Sequence, residues 1–242
     1  MTRVPTGESE GNDGLEQVRA ASIDSGHLLL VGAGSGLGLA VAHRFAAGGY
    51  RVTLVGRSTD RLGELARSLD DTGAEINTVE ADASSPEDLR ARMVGLYHEE
   101  GAPAAVIYNA VLGSPDQLMS STAGHLQEAY AVDVIGAVVV AQEAAAAMKR
   151  AGLGTMIVTG GGFADHPVPA LATVSLGKAA LRSAATMLAA DVGPDGIRVA
   201  TLTIAGQIVA GTAFDPAHIA ERYWEVVQTD DPWPAEFRFT GE

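Results

Sequence analysis

The sequence predicts an α/β protein, a doubly wound parallel sheet with helices on both faces, and three observations predict it. An apolar run, Leu28 to Val31, leads into Gly32, Gly36 and Gly38, spaced G-x-x-x-G-x-G, and an amphipathic segment follows from Leu37 to Ala47. Strand-like and helical segments then alternate to the C-terminus, the pattern of a parallel sheet buried on both sides. The length of 242 residues suits one well-buried domain and is short for two.

The first strand, the glycine turn, the helix and a second strand, Val52 to Val55, make a βαβ unit within His27 to Arg57. Gly32 lets the chain leave the strand through angles that side chains forbid. Gly36 removes a Cβ that would hold a pyrophosphate off the backbone, and Gly38 lets the helix pack closely. Leucines at 62, 65 and 69 mark a helix over Asp60 to Leu69, and Glu75 to Glu80 is the third strand. Pro86 opens a helix to about Glu99, with Ser84 or Ser85 as its cap. Ala104 to Tyr108 is a strand, Leu126 to Arg150 a long helix, Met156 to Thr159 a strand, Leu171 to Val192 a helix and Ile197 to Ile204 a strand. Pro216 to Gln228 reads as a helix and Glu236 to Phe239 as a short last strand. The two long helices are apolar nearly all round, so the sheet and a second cover, expected to be another subunit, must bury them. An alanine-rich helix left exposed would explain Ala144 to Ala147 but not Val138, Val139 and Val140.

The glycine turn between a strand and a helix is a dinucleotide site, because the free N–H groups and dipole of the helix start attract a diphosphate. The end of the second strand selects the cofactor. An NAD(H) site wants an acid there for the ribose hydroxyls, whereas this chain has Gly56 and Arg57 and no acid before Asp60. A guanidinium matches phosphate oxygens, which favours NADP(H), NAD(H) being the less expected cofactor. Alternatively, Arg57 is a solvated loop arginine.

The 30 Asp and Glu against 16 Lys and Arg give a formal charge of −14, which disfavours nucleic acid and anionic membrane surfaces as partners. Without cysteine, disulfides, iron–sulfur clusters and thiolate zinc sites are excluded, in agreement with a cytoplasmic protein. The six histidines show no pair at ligand spacing, so no metal is expected. Residues 1–25 are polar and acidic, without the apolar centre of a signal peptide, and read as a mobile leader before a domain over 26–242. The longest apolar block, Val134 to Ala141, falls far short of the roughly 20 residues that span a bilayer.

With these pieces in order, the chain from about residue 26 resembles the short-chain dehydrogenase/reductase superfamily. The resemblance rests on the glycine spacing at 32 to 38, on Asp82 after the third strand, and on Tyr108-Asn109-Ala110-Val111 where the family carries Asn-Asn-Ala-Gly. It rests also on Lys178, the Lys of a Tyr-x-x-x-Lys motif, and on Ala205-Gly206-Gln207-Ile208 where the family carries Pro-Gly-x-Val. It implies one Rossmann-type domain with about seven parallel strands, hydride transfer between NAD(P)(H), which Arg57 narrows to NADP(H), and a small carbonyl or alcohol substrate, and homodimers or homotetramers through the helices 126–150 and 171–192. The cofactor residues it implies are Gly32, Ser35, Gly36, Leu37, Gly38, Arg57, Asp82, Ala83, Asn109, Ala110, Lys178 and Ile208. Asp82 would lie near the adenine, and the backbone of Ile208 would contact the carboxamide.

The family's tyrosine, serine and asparagine positions hold Val174, Gly161 and Asp133; only Lys178 of the four catalytic residues remains. Valine cannot donate a proton, which leaves three readings. In the first, the chain is an oxidoreductase with Lys178, Asp133 and His166 as its catalytic residues, the acid having moved to His166 or to a buried Asp133 while Lys178 is retained. His166 is otherwise an ordinary loop histidine, Asp133 an ion-pair partner of Lys178, and Ser175 is turned away by about 100° on the helix. In the second, the scaffold serves a non-redox isomerase or cyclase. In the third, the chain binds NADP(H) without catalysis, as a sensor or partner protein. A short substrate region, about 207–231, offers Phe214, Tyr223 and Trp224 as lining residues, although aromatics at helical spacing equally belong to a core.

Overall fold

The structure, a computed structural model, describes residues 23–230 and 232–241. Residues 1–22 of the leader, and Asp231 at the edge of the substrate region, lie outside them. Seven strands form one parallel sheet in the order β3-β2-β1-β4-β5-β6-β7. They are β1 (Ile23–Val31), β2 (Arg51–Gly56), β3 (Ile76–Glu80), β4 (Ala102–Tyr108), β5 (Gly154–Gly161), β6 (Ile197–Ile204) and β7 (Glu236–Phe239). β1 begins at Ile23, inside the stretch read as leader, and its register against β4 shifts between Asp24 and Leu28.

Successive side chains of a strand point to opposite faces, and β1 shows what that does here. Leu29 and Val31 join Val106, Met156 and Val158 on one face, under α3 (Pro86–Glu100), α5 (Gly136–Ala151) and α6 (Ala172–Val192). Leu28 and Leu30 join Ile107, Ile157 and Leu202 on the other, under α1 (Leu37–Ala47), α2 (Thr59–Arg67) and α7 (Pro216–Gln228). Two buried faces explain why these strands read as continuous apolar runs. Ser85 stands at the start of α3 as expected but makes no side-chain cap bond; Pro86 fixes the first turn.

The long helix expected over 126–150 runs from Ala123 to Ala151 in three parts: α4 (Ala123–Tyr130), a π-helical turn (Ala131–Ile135) and α5. A partner inside the ladder explains the wide turn. The Tyr108 hydroxyl donates to the Val132 carbonyl oxygen, and a Cβ on Gly136 would lie 2.4 Å from that hydroxyl. By length and composition this 29-residue helix is apolar enough to cross a membrane, contrary to the estimate from the Val134 to Ala141 block; 67% of its apolar window is buried inside the fold.

On the other face, α1 and α7 meet through Phe45, Tyr50 and Trp224, whose rings pack edge to face at 5.3 to 5.5 Å. Arg44 lies 4.1 Å over the Trp224 ring and pairs with Glu221 through two nitrogens. Trp224 and Tyr223 are therefore packing residues, and Phe214 packs on Phe239 at 5.6 Å.

Candidate functional site

The strand order reverses between β1 and β4, and ligands of open parallel sheets sit at such a switch point, beyond the carboxyl ends of the strands. A cleft of about 370 Å³ opens there. Its floor is the glycine turn, its sides the ends of β2 and β4. Gly32 has φ +84°, and a Cβ on it would lie 2.3 Å from the Ala110 nitrogen, so only glycine lets the turn and the end of β4 touch. Gly38 packs closely on the turn, its Cβ position being 3.2 Å from the Ala33 Cα.

Of the residues singled out in the sequence, the cleft brings together Gly32, Arg57, Asp82, Ala83, Asn109 and Ala110. It adds Gly34, Ser58 and Arg61. Ser58 accepts from the Arg61 N–H as the cap of α2, and the exposed Arg57 and Arg61 therefore stand on either side of one capped turn. Sequence reasoning missed Arg61; its place four residues after Arg57, one helical turn further on, was the available signal. Ser35 and Gly36 do not line this cleft. They are exposed on the outer side of the turn, toward a hollow between α1 and α7, while Leu37 is buried behind them. Ile208 is exposed on the loop after β6, and His166 is exposed after β5 with its backbone N–H donating to the Gly162 oxygen. Neither forms part of the cleft wall. Asp82 accepts from the Ser84 N–H at 2.9 Å, which fixes the loop after β3.

Asn109 anchors a polar chain across the strand ends. Its amide nitrogen donates to the Gly32 oxygen at 3.1 Å, and its amide oxygen accepts from the Thr159 hydroxyl at 3.1 Å. The Thr159 and Tyr223 hydroxyls share a hydrogen bond of 2.7 Å, and burial raises the Tyr223 phenol above its ordinary value. The Lys178 ammonium donates to the Thr159 carbonyl oxygen at 2.6 Å. Thr159 thus links the glycine turn to Lys178, which does not itself line the cleft.

Asp133 lies on the π-helical turn and is 4% exposed. One carboxylate oxygen accepts from the Leu112 N–H at 2.7 Å; among the described residues the other has no hydrogen-bond partner. That second oxygen would lie 2.7 Å from a Cβ on Gly177, so the glycine admits it. The expected ion pair with Lys178 does not form among the described residues, because the Asp133 carboxylate faces Gly177 and Leu112 instead. The two groups still feel each other. Burial raises the Asp133 carboxyl, opposed by the Leu112 hydrogen bond and by the Lys178 charge; burial also pushes Lys178 down to about 8, opposed by Asp133.

Val174 is buried on the first turn of α6, four residues before Lys178. Gly161 ends β5, where a Cβ would rest 3.6 Å from the Lys178 side chain. The Ser175 hydroxyl donates to the Leu171 oxygen at 2.8 Å and accepts from the Val168 N–H at 3.0 Å, which holds the entry to α6.

Asp116, which no sequence pattern marked, caps α6 from 56 residues away, accepting from the Ala172 N–H at 2.6 Å and from the Thr173 N–H at 3.2 Å. His125 lies 3.3 Å from its other oxygen. Thr173 is the largest cause holding the Asp116 carboxyl below its usual range, helped by the Ala172 N–H and His125; burial opposes them. A lowered folded pKa contributes stability above the unfolded value of about 3.9, and that contribution is lost as pH falls through the folded value. Asp116→Ala is therefore expected to lower Tm at pH 7 and to flatten the loss of Tm below about pH 4. Thermal melts of both proteins between pH 7 and 3 check this, and parallel curves would contradict it.

The sequence profile of the short chain dehydrogenase family matches residues 26–214. An uncharacterized oxidoreductase of Mycobacterium tuberculosis is 30% identical over 178 residues, covering 72% of this chain and 70% of that protein. An oxidoreductase of Sarocladium schorii is 27% identical over 175 residues, covering 72% of this chain and 69% of that protein. Among solved structures, L-sorbose reductase from Gluconobacter frateurii, complexed with NADPH and L-sorbose, superposes with a TM-score of 0.71 at 30% identity, over 76% of this chain and 71% of that one. A metagenomic short-chain oxidoreductase in complex with NADP superposes with a TM-score of 0.80 over 91% of this chain and 99% of that one; at 22% identity it speaks for the fold. With the profile, the seven-stranded parallel sheet and the cleft at its switch point in agreement, the chain belongs to the short-chain dehydrogenase/reductase family of oxidoreductases.

Proposed function

We propose that the protein is an NADP(H)-dependent oxidoreductase that interconverts a small carbonyl compound and its alcohol, through an active site without the family's serine and tyrosine. The observation that carries this reading is the cleft between the glycine turn and Arg57. A dinucleotide phosphate fits the residues there. A Cβ on Gly34 would meet nothing within 4 Å, the start of α1 has neither a side-chain cap nor an acid in its first turn, and two guanidiniums face the end of β2. The NADPH bound by the sorbose reductase supports the same cofactor.

In this reading Gly34 borders the diphosphate from the cleft, Ser35, Gly36, Leu37 and Gly38 hold it through backbone N–H groups at the start of α1, and Arg57 holds the 2′-phosphate. Asp82 and Ala83 border the adenine. Asn109, Ala110 and Ile208 flank the nicotinamide, and Lys178 holds its ribose. The bound cofactor supplies a hydride to the carbonyl carbon, which leaves negative charge on the substrate oxygen. This chain's own residues must then supply a proton, and Lys178, Asp133 and His166 are the titratable candidates. The protein is read as cytoplasmic. A second copy is proposed over the helices 126–150 and 171–192, where Tyr130, Ile135 and Leu176 are exposed along an apolar groove of about 460 Å³.

A buried Val174 and a bare Gly161 favour one other reading, an NADP(H)-binding sensor or partner protein without turnover. Absorbance at the NADPH band separates the two. NADPH consumption with any of a panel of small ketones, aldehydes and diketones supports the oxidoreductase; NADPH binding with no consumption across the panel supports the sensor.

A further inference from the structure

A carbonyl reductase without the tyrosine needs another proton donor, and the structure narrows the choice. The Tyr108 hydroxyl is spent on the Val132 oxygen in a residue 2% exposed. Tyr223 is 0% exposed and bonded to Thr159, whose own hydroxyl bonds Asn109. Ser175 is committed at both ends to the entry of α6. The His166 side chain is exposed and has no hydrogen-bond partner among the described residues. Asp133 is enclosed by the Leu112 N–H on one side and Gly177 on the other.

Lys178 differs from all of these. Its ammonium has three N–H donors, of which Thr159 takes one in the hydrogen bonds described. Gly161 puts no side chain between the end of β5 and the lysine stem: a Cβ there would sit in ordinary contact with Cγ, Cδ and Cε at 3.6 to 3.8 Å. A glycine at 161 thus leaves no side chain against that side of the lysine stem. Val174, one turn before it, is buried and carries no hydroxyl that could stand in the proton path.

We propose that Lys178 gives its proton directly to the substrate oxygen, and that Asp133 is a positioning residue that keeps the ammonium charged. The proposal rests on the oxidoreductase reading above. In the reduction, a hydride from NADPH forms the new C–H bond and the carbonyl π pair moves to oxygen. That oxygen takes a proton from Lys178 Nζ; an N–H bond breaks, an O–H bond forms, and a neutral amine remains to be reprotonated from water. The buried unpartnered oxygen of Asp133 gives this lysine a counter-charge that an asparagine would not. Toward the amine, β5 presents the Thr159 carbonyl and the bare Gly161, and the π-helical turn presents Asp133. Among the described residues Asp133 is the one charged group whose field shifts Lys178, and burial acts against it.

The chain has two lysines, Lys149 and Lys178, which makes the test direct. In protein carrying 13C at the lysine Cε, each lysine gives one NMR signal, and Lys178→Arg identifies them. The free protein should show one lysine with the ordinary midpoint and one near 8, and Asp133→Asn should move only the second, downward. In parallel, NADPH consumption with 2,3-butanedione as probe should fall about tenfold per pH unit above that midpoint. The fall should move with the NMR midpoint in Asp133→Asn, and Lys178→Arg, whose guanidinium does not give up a proton in this range, should lose NADPH consumption.

An NMR midpoint that moves in Asp133→Asn while the pH profile stays fixed would overturn the assignment of the donor. So would a Lys178→Arg protein with the parent's profile. Neither result touches the oxidoreductase reading. A parent protein that binds NADPH and consumes none at any pH overturns that reading, and the donor with it.

Discussion

Gly32→Ala is expected to destabilise the protein by about 2–4 kcal/mol and to abolish nucleotide binding in whatever folded protein remains. Two penalties combine. The residue sits at φ +84°, where a side chain is strained, and its Cβ would lie 2.3 Å from the Ala110 nitrogen and 2.5 Å from the Ala110 Cα. Both neighbours are backbone, held by the Asn109 N–H bond to the Val31 oxygen at 2.7 Å, so neither can swing aside. Relief requires β4 and the glycine turn to separate, which opens the floor of the cleft. Gly34→Ala is the matched control. A Cβ there meets nothing within 4 Å, so stability should hold within about 1 kcal/mol while the methyl group crowds the diphosphate. Urea unfolding of both variants, with an NADPH titration of each, checks the pair; equal unfolding midpoints would show that the turn can yield.

Arg57→Ala is expected to weaken NADPH binding about tenfold, and the double change with Arg61→Ala about a hundredfold, with NADH binding unchanged within about twofold in both. A hydrogen bond to a charged group contributes about 1.5–3 kcal/mol, and the lower end applies because both arginines are exposed and screened. The NADPH preference should therefore shrink as salt is raised from about 0.05 to 0.5 M. Nicotinamide fluorescence titrations with each nucleotide provide the measurement. Equal losses for NADPH and NADH would mean that the arginines stabilise the loop and do not read the 2′-phosphate.

The fold and half of the cleft were determined by the sequence itself. Strand-like runs such as Leu28 to Val31, helical spacings such as the leucines at 62 and 65, and the glycine turn are local features. Period and backbone freedom act over a few residues, so they can be read without knowing what packs on them. Arg57, Asp82 and Asn109 were legible for a related reason, since each follows directly on a strand end that the sheet brings to one edge.

Tertiary structure alone decided the partners. Asp116 caps a helix 56 residues away, and Thr159 joins Asn109 to Tyr223 across three separate elements. Tyr223 became core with Trp224 packed against it, and Asp133 turned toward Gly177 in place of Lys178. Tyr108 converted one turn of a helix to π geometry from a neighbouring strand. A side chain's spacing says which face it lies on, but the group it meets there is chosen by packing between segments distant in sequence. Hydrogen bonding and burial, and with them the charge of Lys178, are set by that packing.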